Sequence, residues 1–179
     1  GICDIDTGEL MPLLRATVVK VGITDIVKGK TGAPGELKGV FDTEKRGTLV
    51  GNTPFGVYGV LDEAPEGIGK ALPVAGREEV HDGEASIFAN PDGEGIREFS
   101  VRLSKVDHRS NGTKSFVVEI TDPTLIALTG GIVQGMSGSP VVQDGKLCGA
   151  VTHVLVGEPT KGYGIFLENM LAGMPELTR

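Results

Sequence analysis

Apolar positions recur at short range along the chain, and most of them recur with a period of two. The clearest case is IREFSVRLSKV, residues 96–106, where Ile96, Phe99, Val101 and Leu103 alternate with polar neighbours as in a half-buried strand. Residues 114–120 (KSFVVEI) are its expected partner across a turn carrying Asn111-Gly112. Later, Val141-Val142 and the run 147–156 flank Asp144-Gly145, the strongest short hairpin signal in the chain. The first third is less regular. A strand is predicted over residues 14–21, after Pro12, with 23–27 pairing against it. Residues 36–41 and 46–51 read as a hairpin around Asp42-Thr43-Glu44-Lys45. Further short strands are expected at 55–61, 72–75, 83–89 and 162–167. Helical signals are confined to a turn at 125–129 and a short helix from Glu168 to about Leu177, with no blocker before Pro175. About twelve strand candidates without one long amphipathic helix define an all-β chain, a barrel or paired barrels.

Composition agrees with this. The 179 residues hold 28 glycines and 10 prolines, with no tryptophan, which suits many turns between short strands. The length fits one domain or two small barrels fused into one unit. A net charge of −7 argues against nucleic acid or an anionic membrane surface as partner. No apolar run approaches the ~20 residues of a membrane helix. No signal peptide is evident, and Gly1-Ile2-Cys3 reads as the middle of a longer sequence. Two cysteines, Cys3 and Cys148, are too few for a disulfide scaffold, and each is expected as a buried free thiol. Asp4 and Asp6 could face a cation, but the further ligands of a calcium loop are missing, so a solvated Asp turn is expected and no metal. APEGIGK (64–70) lacks phosphate-loop spacing and reads as a surface turn, so no cofactor is expected.

Chemistry concentrates at residues 130–154, GGIVQGMSGSPVVQDGKLCGAVTHV. In Gly135-Met136-Ser137-Gly138-Ser139-Pro140 the glycines allow a tight turn with amide N–H groups pointing outward. An acyl-transfer enzyme presents its nucleophile in this way, with backbone donors beside it for the developing oxyanion. The hexamer resembles the G-x-S-G-[GS]-P turn of chymotrypsin-like serine peptidases and lacks the second glycine of the G-x-S-x-G elbow. As in chymotrypsin-like sites, the amides of Gly135 and Ser137 would form the oxyanion hole. Ser139 is the rival nucleophile, less suited because it precedes Pro140 and begins the next strand.

ICDIDTGELMPL at the start, ITDPTLIALTGGIVQGMSGSP in the second half, and GAVTHVLV and PTKGYGIF near the end together resemble the stage IV sporulation protein B peptidase family of spore-forming bacteria. The resemblance covers nearly the whole chain. It implies a chymotrypsin-like double β-barrel, its first barrel incomplete in this stretch. It also implies an exported, membrane-tethered serine endopeptidase acting between forespore and mother cell. There it would cleave itself and regulators of a membrane-embedded protease, so that the late mother-cell sigma factor is released. A membrane anchor and a PDZ domain would precede the peptidase domain, residues 1–179. The family nucleophile falls on Ser137 and its acid on Asp122 in ITDPTL. The family histidine belongs to a G-H-G-I segment and falls immediately before Gly1, so the chain as given is expected to lack its base and to be inactive by the triad mechanism.

Other readings stay open. Asp122-Pro123 is also a common turn. His81 (EVHDG) and His108 (VDHRSNG) read as solvated turn histidines. His153, in the apolar run 150–154, is either a hydrogen-bonded wall residue or part of the substrate pocket. There His153, with Thr152 as helper, would select a polar residue; strand alternation sends the two to opposite faces, which favours His153. The contrasting possibility for the whole chain is a non-catalytic β-barrel that binds peptides or partners.

Overall fold

The computed structural model describes residues 1–4, 6–13, 16–65 and 71–176. It is all-β: a closed six-stranded antiparallel barrel joined to an open three-stranded sheet. The barrel holds β4 (Gly83–Ala89), β5 (Arg97–Ser104), β6 (Phe116–Ile120), β7 (Pro140–Gln143), β8 (Lys146–Leu155) and β9 (Glu158–Phe166), in the order β4-β5-β6-β9-β8-β7. The predicted alternation holds in β5, where Phe99, Val101 and Leu103 are buried and their neighbours face outward. Facing side chains from Ile87, Val118, Val141, Val151 and Phe166 complete the interior. Phe116 and Phe166 pack with ring centroids 5.5 Å apart. Asp144 and Gly145 turn the β7–β8 hairpin with both φ angles positive, 51° and 74°, as a two-residue hairpin with Asp-Gly requires.

The open sheet contains β1 (Thr17–Val27), β2 (Glu36–Thr53) and β3 (Gly56–Leu61), all antiparallel. It corrects several expectations. Residues 14–21 and 23–27 do not pair; from Thr17 they form one strand, with Leu14 outside the described residues. The hairpin expected at 36–51 is one continuous strand, with Asp42 to Lys45 inside it. Asp42 to Lys45 include no glycine or asparagine, the residues that most readily take up the positive φ of a tight hairpin turn, and the extra residues are absorbed as irregularities of β2 opposite Val18 to Val21. Residues 72–75 make only a bridge from Val74 to Leu147. The C-terminal helix α2 (Leu167–Ala172) stops before Leu177, which lies outside the described residues, as do 66–70 of the predicted glycine turn. Both cysteines are free thiols as expected, but Cys3 is exposed rather than buried.

Strand direction sorts the barrel into two rims. The start of β7 lies beside the end of β4, and so also at the rim holding the end of β6 and the end of β8. Ser137, just before β7, Asp122, just after β6, and His153, near the end of β8, therefore share one rim. His81 and His108 belong to the other. The open sheet docks on the first rim: Gln134 N–H donates to the Gly35 carbonyl at 2.8 Å, Leu37 N–H donates to the Gln134 carbonyl at 2.9 Å, and Gly29 N–H donates to the Thr129 carbonyl at 2.8 Å.

Candidate active site

The turn carrying Ser137 is built by two glycines and one anchor. Gly135 and Gly138 have φ of 99° and 92°, backbone that L side chains rarely adopt. Between them Met136 is buried in the core and pins the turn to the barrel, while Ser137 beside it is exposed. Met136 N–H closes onto the Val133 carbonyl, and Ser139 N–H closes onto the Met136 carbonyl. Two further bonds fix the turn to β8: Gly138 N–H to the Val151 carbonyl, 2.8 Å, and Val151 N–H to the Ser139 carbonyl, 3.0 Å. The Ser137 hydroxyl donates to the Thr152 carbonyl at 2.9 Å. Among the described residues, the N–H groups of Gly135 and Ser137 find no acceptor. Two unpaired amides thus stand beside an exposed hydroxyl, at a rim open to solvent.

The strand behind the turn departs from simple alternation. Val151 pairs with Gly164 and His153 with Tyr163, so Thr152 is the extra residue of a bulge. Val151 is buried, Val154 packs against the core again, and Thr152 and His153 between them both lie outside it. The expected placement of these two on opposite faces is lost for that reason. The Thr152 hydroxyl is engaged, donating to the carbonyls of Thr113 (3.2 Å) and Tyr163 (3.1 Å). His153 is exposed. Desolvation by the surrounding chain, with the positive charge of Lys114, holds its imidazole below the ordinary value. Lys114 itself lies over the Tyr163 ring, 4.8 Å from its centroid. Past Ala150, β8 keeps β9 on one side, while the edge towards Ser137 has no strand beside it.

Asp122 has a structural task at the same rim. Its Oδ1 accepts from Thr124 N–H (2.9 Å) and Leu125 N–H (3.0 Å), capping helix α1 (Pro123–Thr129). Among the described residues it bonds neither to Ser137 nor to a histidine. At the far rim His81 meets Asp144 at 3.0 Å, with its pKa raised by the Asp82 carbonyl and Asp144. There too His108 Nε2 lies 2.8 Å from the Val80 carbonyl. Neither approaches the Ser137 turn. The aspartates at the chain start form the solvated turn expected: Asp4 Oδ1 accepts from Asp6 N–H, Thr7 N–H and the Thr7 hydroxyl.

Sequence reading missed Lys114, whose charge bears on His153, and Asn52, which ties the chain start to β2. The side chain of Asn52 holds the backbone of Ile2 from both sides, accepting from its N–H at 2.7 Å and donating to its carbonyl at 2.8 Å. Fifty residues separate the pair, and no local pattern signals the contact. The arrangement suits acyl transfer on an extended chain: a hydroxyl, two amides free to receive an oxyanion, and a strand edge leading away from them. A family model described as SpoIVB peptidase S55 matches residues 1–171. No curated protein matches the chain.

Proposed function

The chain belongs to the SpoIVB peptidase S55 family, the serine peptidases of sporulation, and from that premise we propose that Ser137 is the nucleophile of an endopeptidase that cuts extended segments of protein. The observation carrying this is the pair of unpaired N–H groups, Gly135 and Ser137, flanking the exposed hydroxyl. The Ser137 oxygen attacks the scissile carbonyl and its proton passes to a histidine preceding Gly1. The carbonyl oxygen takes the electron pair and rests on the two amides. Collapse expels the amine, which takes the proton from the imidazole, and water then releases the acyl group by the same route. Asp122 orients the base, and among the described residues no histidine is hydrogen-bonded to Ser137. His153, exposed one residue beyond the carbonyl that holds Ser137, lines the pocket and favours a hydrogen-bonding side chain. Thr152 has its hydroxyl committed elsewhere and contributes backbone alone.

The substrates are regulators of a membrane-embedded protease and the peptidase itself, met between the forespore and mother-cell membranes, and their cleavage activates the late mother-cell sigma factor. Among the described residues no helix is long and apolar enough to cross a membrane; the tether belongs to another part of the protein. The open β8 edge also favours a second reading, a module that binds peptides without cutting them. A fluorophosphonate probe on the full-length protein separates the two. Labelling that is lost in Ser137→Ala and kept in Ser139→Ala is expected. No labelling, or loss in Ser139→Ala alone, overturns the assignment.

A further inference from the structure

The outer wall of the barrel carries a hollow that the proposed cleavage chemistry leaves unused. It lies over β6 and β9 and measures about 270 Å³, below the roughly 300–1,000 Å³ of small-molecule sites, so it suits a single side chain. Val117, Leu155 and Tyr163 give it apolar surface, and Lys105, Lys114, Lys161, Glu119 and Glu158 give it charge. Three lysines against two glutamates make the lining net positive, on a chain whose net charge is −7. Both carboxylates gather on one lysine: Lys161 Nζ donates to Glu158 Oε2 at 2.6 Å, and Glu119 is its partner in the β6–β9 register. Among the described residues, Lys105 and Lys114 make no ion pair. Lys105 reaches the hollow through unusual backbone. Strict alternation after Leu103 would turn it inward, but its φ is 53°, a region seldom adopted by residues other than glycine, and consecutive residues Ser104 and Lys105 both line the hollow.

A set of direct contacts joins this hollow to the Ser137 turn. Ser137 Oγ donates to the Thr152 carbonyl, and the Thr152 hydroxyl donates to the carbonyls of Thr113 and Tyr163. Lys114 follows Thr113, and its ammonium lies over the Tyr163 ring. His153 is exposed and pairs with Tyr163, and Leu155, two residues further along β8, lines the hollow. A peptide laid along the open edge of β8 sends every second side chain to this same outer face. From such a peptide to β9 is two strand spacings, about 10 Å, a span that a glutamate and a lysine side chain bridge between them. We propose that the hollow is a subsite for an acidic side chain of the substrate, a glutamate or aspartate a few residues from the bond that is cut, held by Lys105 and Lys114. The inference rests on the reading above, in which the substrate lies along β8 and is cut at Ser137, and it adds a charge preference to the hydrogen-bonding preference of His153. The incoming carboxylate supplies the acceptor that these two ammonium groups lack.

The test uses the full-length protein and a panel of peptides in which glutamate or its neutral isostere glutamine occupies, in turn, each position flanking the cut bond. At one position kcat/KM should be about fivefold higher for glutamate, the scale of a partly exposed charge pair, and the ratio should shrink as salt is raised. In Lys105→Met/Lys114→Met the ratio should fall to about one, in Lys105→Arg it should persist, and in Lys105→Glu it should drop below one. Should the double variant not fold, Lys105→Glu decides. A ratio near one at every position in the wild type, or a wild-type ratio in the folded double variant or in Lys105→Glu, overturns the proposal. The same peptides, fluorescently labelled, are also bound to Ser137→Ala and followed by anisotropy, where the glutamate peptide should bind more tightly and equal binding contradicts the subsite. Cleavage surviving in Ser137→Ala refutes instead the reading of the nucleophile, and the anisotropy ratio then decides the subsite alone, so the two failures are distinguishable.

Discussion

Replacing Gly135 by alanine separates catalysis from stability. Gly135 has φ of 99°, well beyond the left-handed region that L residues tolerate, and placing a Cβ there costs roughly 1–2 kcal/mol in backbone strain alone. That Cβ would lie 3.1 Å from the Leu37 Cβ and 3.3 Å from its Cγ. Leu37 is tied by its own N–H to Gln134 and has little room to retreat. For a domain of this size the strain corresponds to a melting shift of roughly 2–8 °C. The easiest relief is rotation of the 134–135 peptide, which re-aims the Gly135 N–H away from the oxyanion position. Loss of one such donor costs about 10²–10³-fold in kcat, or about 2.7–4 kcal/mol, so the rate should suffer more than the fold. The assay is peptide cleavage by the full-length protein beside calorimetric melting. Leu37→Ala in the Gly135→Ala background then removes the contacts at Cγ and beyond, and leaves the contact at Cβ and the strained φ. Melting should recover in part and kcat should not. A Gly135→Ala enzyme with wild-type kcat and a lowered melting point would show that this amide is not an oxyanion donor.

Two further outcomes can be checked on the same rim. Asp122→Asn retains a side-chain oxygen for the Thr124 and Leu125 amides, so melting should change little; kcat should fall about 10⁴-fold if the carboxylate orients the base, and unchanged kcat would leave Asp122 as a helix cap alone. His153 is held below its ordinary pKa, so as pH falls through about 6.5 the unfolded chain takes up a proton before the folded one and stability declines. Lys114→Met removes a cation that contributes to this, so His153 should titrate at higher pH in an NMR titration and the acid-side loss of stability should shrink. An unmoved His153 titration contradicts the attribution to Lys114.

The barrel was legible because its signals are local. β5 alternates strictly, Asp144-Gly145 can hardly be anything but a hairpin turn, and Gly135 to Ser139 combine positive-φ glycines with a serine. The open sheet was not. Most of β2 is exposed on both faces, with Val40 at 66% and Phe41 at 73%, so burial imposes no alternation and the polar stretch at Asp42 imitates a turn. The bulge at Thr152 was hidden for a related reason. It shows only when β8 is laid against β9, and a one-residue register change reverses which side chains face the core. Ile2 and Asn52 meet through a side chain and main-chain atoms, a contact with no compositional trace.

β2 holds on to two distant parts of the chain. At one end Leu37 braces the loop that carries the oxyanion amides; at the other Asn52 holds the chain start. Between them the strand runs through water, with Asp42, Glu44, Lys45 and Arg46 all solvent-facing. A single proteolytic nick in that span would leave the barrel ladder closed, since none of its strands pairs with β2. Yet it would cut the strand whose first residues brace the loop before Ser137. Such a clipped molecule would keep its barrel while the brace on the Gly135 loop slackened, so a loss of activity by cutting would be silent to tests that report on the barrel alone.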